Sequence, residues 1–218
     1  MSEGLGGIPR SEFLLLHAAP IEGHGLEDLG VQSIGVGKTA AAFGAADLLR
    51  RRDGVRAVLL FGVAGAYPER HRDGPPPLDI GDVAVVSHDL LADEGVETPD
   101  GFLDLGSMQL GDCGPFLADP RLARDAAVRL GCPSVHGLTV SSCSGTDEAS
   151  RRARQRGGGG DVETMEGAAV AYVCRKLEVP LLHVRAISNW TGDRDRGAWN
   201  LGAAVDAVQR AVRRLMQP

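Results

Sequence analysis

The sequence predicts an α/β fold, a three-layer αβα sandwich around a central mixed, largely parallel sheet, and three observations carry that prediction. Short apolar runs of strand length alternate with segments of helical periodicity, the pattern of layered α/β domains. Residues 165–177 place Met165, Ala168, Ala169, Tyr172, Val173 and Leu177 at helical spacing, and Val170 and Cys174 make the segment apolar nearly all round. Such a helix is buried. Pro180 stops it, and residues 181–187 follow as a mostly apolar run suited to a central parallel strand covered on both faces.

The remaining elements follow in order. Residues 1–11 are Gly-rich and read as a flexible N-terminus, with residues 12–218 forming one domain. Residues 13–17 make a first strand that ends at Ala18-Ala19-Pro20, which leaves Glu22 in the first loop. Residues 31–34 make a short strand feeding Gly35-Val36-Gly37 and an Ala-rich helix over 38–52, whose last-turn arginines suit the negative end of the helix dipole. Gly54 stops it. Residues 57–61 are a third strand, followed by Gly62-Val63-Ala64-Gly65 and a polar loop holding Pro75, Pro76 and Pro77. A strand over 82–87, an irregular stretch over 94–120, a helix over 122–130 and a strand over 136–140 come next. Residues 141–146 form a small-residue loop, residues 157–160 a turn, and Glu163 falls in a short strand. The last helix carries Leu201, Ala204, Val205, Val208, Val212 and Leu215 on one face.

Composition narrows the function classes. A chain of 218 residues with 43% hydrophobic and 24% charged residues suits one globular domain with a sizeable core. The formal charge is −6, and the one dense basic cluster, Arg151, Arg152, Arg154 and Arg156, lacks the interleaved aromatics of single-stranded nucleic-acid binders, so no nucleic-acid partner is expected. No apolar run approaches the roughly 20 residues of a spanning helix and the start carries no signal pattern, so the expected location is cytoplasmic, with no membrane partner. Four scattered cysteines without C-x-x-C spacing indicate neither a zinc site nor a disulfide framework.

Two nucleotide motifs fail on inspection. Gly37-Lys38-Thr39 invites a phosphate-loop reading, but Gln32 stands where the pattern needs glycine. Gly35-x-Gly37-x-x-Ala40 fits a relaxed dinucleotide fingerprint, yet it follows the second strand, and Asp53 lies in a turn. What survives is that glycines let a backbone turn tightly and approach a ligand. A plain strand-to-helix turn explains them equally well.

The chemistry concentrates in two segments. Glu166 begins the buried helix, where the dipole and free N–H groups favour the ionised form, and an unpaired carboxylate in so apolar a stretch would be expensive to bury. Asn189 sits just past a strand's carboxyl end, where open α/β sheets bind ligands. Arg185, on a buried strand, reads as a paired structural charge.

The Met165-Glu166-Gly167-Ala168-Ala169 run with Arg185-Ala186-Ile187-Ser188-Asn189 resembles the purine nucleosidase and nucleoside phosphorylase superfamily, whose members cleave the bond between a purine and its ribose. Within it, the resemblance is to the branch that hydrolyses futalosine in an alternative menaquinone route. Residues 18–22, 34–42 and 92–99 carry it further. It implies a nucleoside phosphorylase-like fold, a small-molecule nucleoside substrate, no metal or organic cofactor, and a homodimer or higher homo-oligomer whose rim includes residues 93–102. Glu22 then activates the attacking water, Glu166 takes the ribose 2′ and 3′ hydroxyls, and Met165 packs beneath the sugar. Gly65 and the loop ending at Thr146 line the substrate.

Asn189 departs from the adenine-cleaving members, which have an aspartic acid able to protonate N7. An amide cannot supply that proton, but it can accept from a protonated N7 and donate to an oxygen at C6, which suits hypoxanthine or guanine. A capping asparagine remains the plain alternative. Trp190 or Trp199 could stack on the carboxyphenyl group of futalosine, and Arg194 or Arg196 could pair with its carboxylate; a loop held by its own salt bridges is the competing reading. A phosphorylase would need a basic residue near the ribose, with Arg10, Arg50 and Arg56 the candidates. An adenine-directed nucleosidase and a non-catalytic nucleoside or nucleotide-binding module complete the alternatives.

Overall fold

A computed structural model describes residues 4–68, 78–193 and 199–217. The chain runs β1 (Phe13–His17), α1 (Pro20–Gly23), β2 (Gln32–Ser33), α2 (Lys38–Arg51), β3 (Ala57–Ala66), β4 (Val83–Leu91), β5 (Gly95–Thr98), β6 (Gly101–Asp104), β7 (Phe116–Leu117), α3 (Pro120–Leu130), β8 (Ser134–Thr139), α4 (Asp147–Arg156), β9 (Val162–Thr164), α5 (Gly167–Lys176), β10 (Leu181–Trp190) and α6 (Leu201–Met216). The central sheet is mixed and mostly parallel: β1 pairs in parallel with β2 and β3, β3 with β10, β4 with β8, and β8 with β9, while β10–β4, β3–β9 and β4–β7 are antiparallel. Alternation along the strands splits the core. Leu15, Leu59, Phe61, Leu182 and Val184 pack with α3 and α6, whereas Leu14, Leu16, Val58 and Leu60 pack with α2 and α5. This is the expected αβα layering.

The sheet also closes on itself, which an open sandwich does not. β3 pairs with both β10 and β9, so β3, β10, β4, β8 and β9 form a ring. Because β1, β3 and β10 are parallel, their carboxyl ends share one side of the molecule. The antiparallel register of β9 sets Glu163 opposite Gly65, and the chain then runs back toward Gly62 as it reaches Glu166. Topology alone therefore gathers the ends of β1, β3, β9 and β10.

Several expectations need correcting. From Gly4 on, the N-terminus is seated, not free: Leu5 and Ile8 are buried in the core, Gly6 N donates to Asp125 Oδ2 at 2.8 Å, and Arg129 Nη2 donates to the Gly4 carbonyl at 2.9 Å. Two apolar residues among glycines suffice to dock the segment. The stretch over 94–120 holds the antiparallel β5–β6 hairpin and β7. Helix α4 was not legible because its sequence is almost wholly polar, with Ser150 and Ala153 its buried residues; Thr146 caps it, accepting from Ala149 N at 3.1 Å. α5 starts at Gly167, not Met165, and Glu166 is its N-cap. β10 runs on to Trp190 across a bulge, so Asn189 lies inside the strand. The proline-rich loop and Arg194 and Arg196 lie outside the described residues.

Candidate active site

Glu22 sits in the one-turn helix that Pro20 opens after β1, and it is buried. Its Oε2 accepts from Ala18 N at 3.1 Å and Ala19 N at 2.9 Å, and its Oε1 from Val63 N at 2.9 Å. A carboxylate offers about four lone-pair sites, so three donors leave one open. The neighbouring Gly62 must be glycine: a Cβ there would stand 2.5 Å from Glu22 Oε1 and 2.5 Å from Arg185 Nη1. Both groups thus face the same side-chain-free stretch of β3.

Glu166 is 5% exposed, and its carboxylate turns away from its own helix. Oε1 accepts from Gly37 N at 3.0 Å and Oε2 from Arg185 Nη2 at 3.4 Å. Gly37 has φ +89°, which favours glycine, so the loop that mimics a phosphate-binding turn presents its N–H to a carboxylate of the protein instead. Two acceptor sites of Glu166 stay open. Arg185, 1% exposed, is the paired charge the sequence suggested; its Nη1 also donates to the Val63 carbonyl at 3.1 Å and its Nε to His183 Nε2 at 2.7 Å.

Behind Arg185 lie two buried groups that the sequence reading passed over. His183 Nδ1 stands 3.8 Å from Asp89 Oδ2, and Asp89 Oδ1 accepts from Thr139 Oγ1 at 2.9 Å. Burial pushes the Asp89 carboxyl up from 3.8 to about 7, and holds His183 well below its usual range, with Arg185 adding to the effect. The signal was available: His183 and Arg185 stand two apart in an otherwise apolar strand, on one face. Asp89 makes a testable stability prediction. Its folded pKa exceeds the unfolded one, so the folded state takes up a proton between about pH 4 and 7 and loses stability as pH rises through that window, by on the order of 4 kcal/mol. Asp89→Asn removes this loss. Its melting temperature is expected above wild type at pH 8, with the gain much reduced at pH 5 and gone by about pH 4, in paired thermal melts.

One step further along β3, Gly65 is flanked by Asn189 on β10 and Glu163 on β9. A Cβ on Gly65 would come within 3.2 Å of Asn189 Nδ2. Asn189 is buried; its Oδ1 accepts from Ser188 Oγ at 2.8 Å and its Nδ2 donates to the Trp190 carbonyl at 2.9 Å, leaving one acceptor and one donor site open. Glu163 anchors the loop over 141–146, accepting from Ser144 N at 2.8 Å, Ser144 Oγ at 2.6 Å and the Tyr67 hydroxyl at 2.9 Å. Thr146 uses its side chain to cap α4, and the start of α4 is clamped to the segment after Asn189: Asp147 N donates to Asp193 Oδ1 at 3.1 Å, Asp193 N to Asp147 Oδ1 at 3.0 Å, and Ser150 Oγ meets Thr191 Oγ1 at 2.7 Å. Trp190 stands half exposed at the rim, its Nε1 donating to the Leu78 carbonyl at 3.0 Å, and Met165 is half-buried between β9 and Glu166.

The structure therefore brings Glu22 and Glu166 together around Arg185, with Asn189, Gly65 and the Thr146 loop adjoining along β3. Arg56 is elsewhere: it precedes β3 and pairs with Glu12, at the opposite ends of the strands. Arg10 and Arg50 are exposed. Among the described residues, no group of three or more His, Cys, Asp or Glu side chains could hold a metal ion, and no helix is long and apolar enough to cross a membrane.

Comparison with known proteins decides the family, since the phosphorylase superfamily model matches residues 24–217. The chain belongs to the phosphorylase superfamily. Futalosine hydrolase of Thermus thermophilus is 38% identical over 187 residues, covering 84% of this chain and 78% of that protein. Futalosine hydrolase of Streptomyces coelicolor is 34% identical over 190 residues, covering 86% and 77%. These likenesses place the chain in the futalosine hydrolase family of the superfamily. Among solved structures, a methylthioadenosine/S-adenosylhomocysteine nucleosidase from Colwellia psychrerythraea superposes with TM-score 0.78 at 20% identity, covering 94% of this chain and 93% of that one. The native futalosine hydrolase of Helicobacter pylori superposes with TM-score 0.76 at 18% identity, covering 93% and 96%. At such identities these two establish the shared fold.

Proposed function

We propose that the protein hydrolyses the N-glycosidic bond of futalosine and releases hypoxanthine, as a step of menaquinone biosynthesis by the futalosine route. Cleavage of such a bond passes through a ribosyl cation-like state, so a useful site offers an anion near the sugar, a hydrogen-bonded leaving base and a positioned water. The open hydrogen-bonding capacity matches those needs. Glu166 has two free acceptor sites for the 2′ and 3′ hydroxyls, with Met165 beneath the sugar. Glu22 has one, for the water whose proton it takes as general base.

Asn189 has one acceptor and one donor site left: its NH2 donates to the oxygen at C6, where charge builds as hypoxanthine leaves as an anion, and its Oδ1 accepts from N7 once solvent has protonated it, so the base departs without needing an acid from the protein. Gly65 and the loop ending at Thr146 border the base, and Trp190 at the rim is placed to meet a substituent beyond the ribose. The protein acts without metal or organic cofactor, in the cytoplasm, as a homodimer or higher homo-oligomer whose neighbouring subunit meets residues 93–102.

The single observation that carries this reading is the convergence of Glu22 and Glu166 on Arg185 beside Gly62, a short way along β3 from Asn189 at Gly65. Mass spectrometry of futalosine incubated with the protein tests it. Free hypoxanthine in phosphate-free buffer is the expected result. Strict dependence on phosphate would make it a phosphorylase, and no cleavage at all would leave a binding module.

A further inference from the structure

Arg185 is held from behind as well as from the front. A guanidinium keeps its hydrogen on Nε, so at 2.7 Å His183 Nε2 must accept it. The hydrogen of the neutral ring then sits on Nδ1, facing Asp89 Oδ2 at 3.8 Å. That oxygen is a buried side-chain atom with no hydrogen-bond partner among the described residues. Two glycines shape the space around it: a Cβ on Gly167 would lie 2.1 Å from Asp89 Oδ2 and 2.5 Å from His183 Cε1, and one on Gly137 would lie 2.6 Å from the same oxygen. All four side chains of the line Asp89, His183, Arg185 and Glu166 are nearly inaccessible, at 1, 1, 1 and 5% exposure.

We propose that Asp89 and His183 are positioning residues for Glu166: the Asp89 carboxylate, too far for a hydrogen bond, favours by its charge the His183 tautomer with hydrogen on Nδ1, that tautomer holds the Arg185 guanidinium through Nε2, and Arg185 aims the Glu166 carboxylate at the ribose hydroxyls. The inference rests on the nucleosidase reading and extends it inward by two residues. Its consequence is selectivity. Preference for a ribosyl over a 2′-deoxyribosyl substrate depends on a well-aimed Glu166, and so on two residues that never touch the sugar.

Asp89→Asn separates aiming from folding. Thr139 donates to Oδ1, so the amide oxygen of the variant takes that place and its NH2 points at His183 Nδ1. The hydrogen on Nδ1 then faces a donor in place of a carboxylate, which disfavours the tautomer that accepts from Arg185 and loosens the Nε–H bond to His183. Kinetics on futalosine and 2′-deoxyfutalosine read the effect. Wild type is expected to favour the ribosyl substrate in kcat/KM by about tenfold or more, the worth of one hydrogen bond to a charged group. In Asp89→Asn that ratio is expected to fall to about threefold or less, mostly through a raised KM for futalosine, while at pH 8 relief from the buried Asp89 charge offsets the misplaced donor and keeps the protein no less stable.

His183→Gln, whose side-chain oxygen can still accept from Arg185, should keep most of the ratio, and His183→Leu should lose it. A wild-type ratio that survives intact in Asp89→Asn, or equal losses on both substrates in His183→Gln and His183→Leu, would overturn the proposal while hydrolysis itself stood. Wild type cleaving neither substrate would instead remove the underlying nucleosidase reading, and this proposal with it.

Discussion

Glu22→Gln is expected to lower kcat by about 10³-fold, within the range that positioned general bases contribute, while hypoxanthine affinity stays near wild type. Oε2 accepts from two backbone N–H groups and Oε1 from one, so the amide oxygen of the variant takes the Oε2 place. The NH2 then stands at Oε1, opposite the Val63 N–H and with no lone pair for a water. The base is lost, and one buried donor is left facing another, at a cost of roughly 1–3 kcal/mol in stability. Steady-state kinetics with isothermal titration of hypoxanthine check the first part, and urea unfolding the second. Unchanged turnover would remove Glu22 from the mechanism.

Glu166→Ala should damage stability and activity at once. Arg185 would remain at 1% exposure without its carboxylate, and an uncompensated buried charge destabilises by about 3–5 kcal/mol. The two ribose hydroxyls would lose their acceptor, and hydrogen bonds to a charged group contribute about 1.5–3 kcal/mol each, so kcat/KM should drop by about 10²- to 10⁴-fold. Glu166→Gln keeps an oxygen that can face Arg185 and should fold better than the alanine variant while binding the sugar poorly. Denaturant unfolding beside kinetics of both variants distinguishes these effects. A fully stable, fully active alanine variant would mean that Glu166 neither holds Arg185 nor meets the sugar.

Most of the layered fold was legible because strand length, helical spacing and glycine punctuation agree along the chain. The exceptions have physical causes. α4 is polar nearly all round, so it has no apolar stripe to read, and its start is marked by the Thr146 cap and the acidic first turn, Asp147 and Glu148, alone. The docked N-terminus rests on Leu5 and Ile8, too few to stand out among glycines. Closure of the sheet depends on β9 reaching β3 over two residue pairs, a long-range contact that no local pattern encodes. For the site, Glu22, Glu166 and Asn189 were marked by position and by resemblance, and Arg185 as a paired charge. What could not be read was direction: that Glu166 turns from its own helix toward Gly37 and Arg185, and that Asp89 from a separate strand completes the line behind them.

The most direct measurement is a crystal structure of the Glu22→Gln variant with futalosine bound. Glu166 should lie at hydrogen-bonding distance, about 2.5–3.2 Å, from both the 2′ and 3′ hydroxyls, with the Asn189 amide on N7 and the oxygen at C6 and the substituted amide side chain at position 22 beside the anomeric carbon. A nucleoside bound elsewhere, or one whose ribose faces Asn189 while its base faces Glu166, would contradict the account.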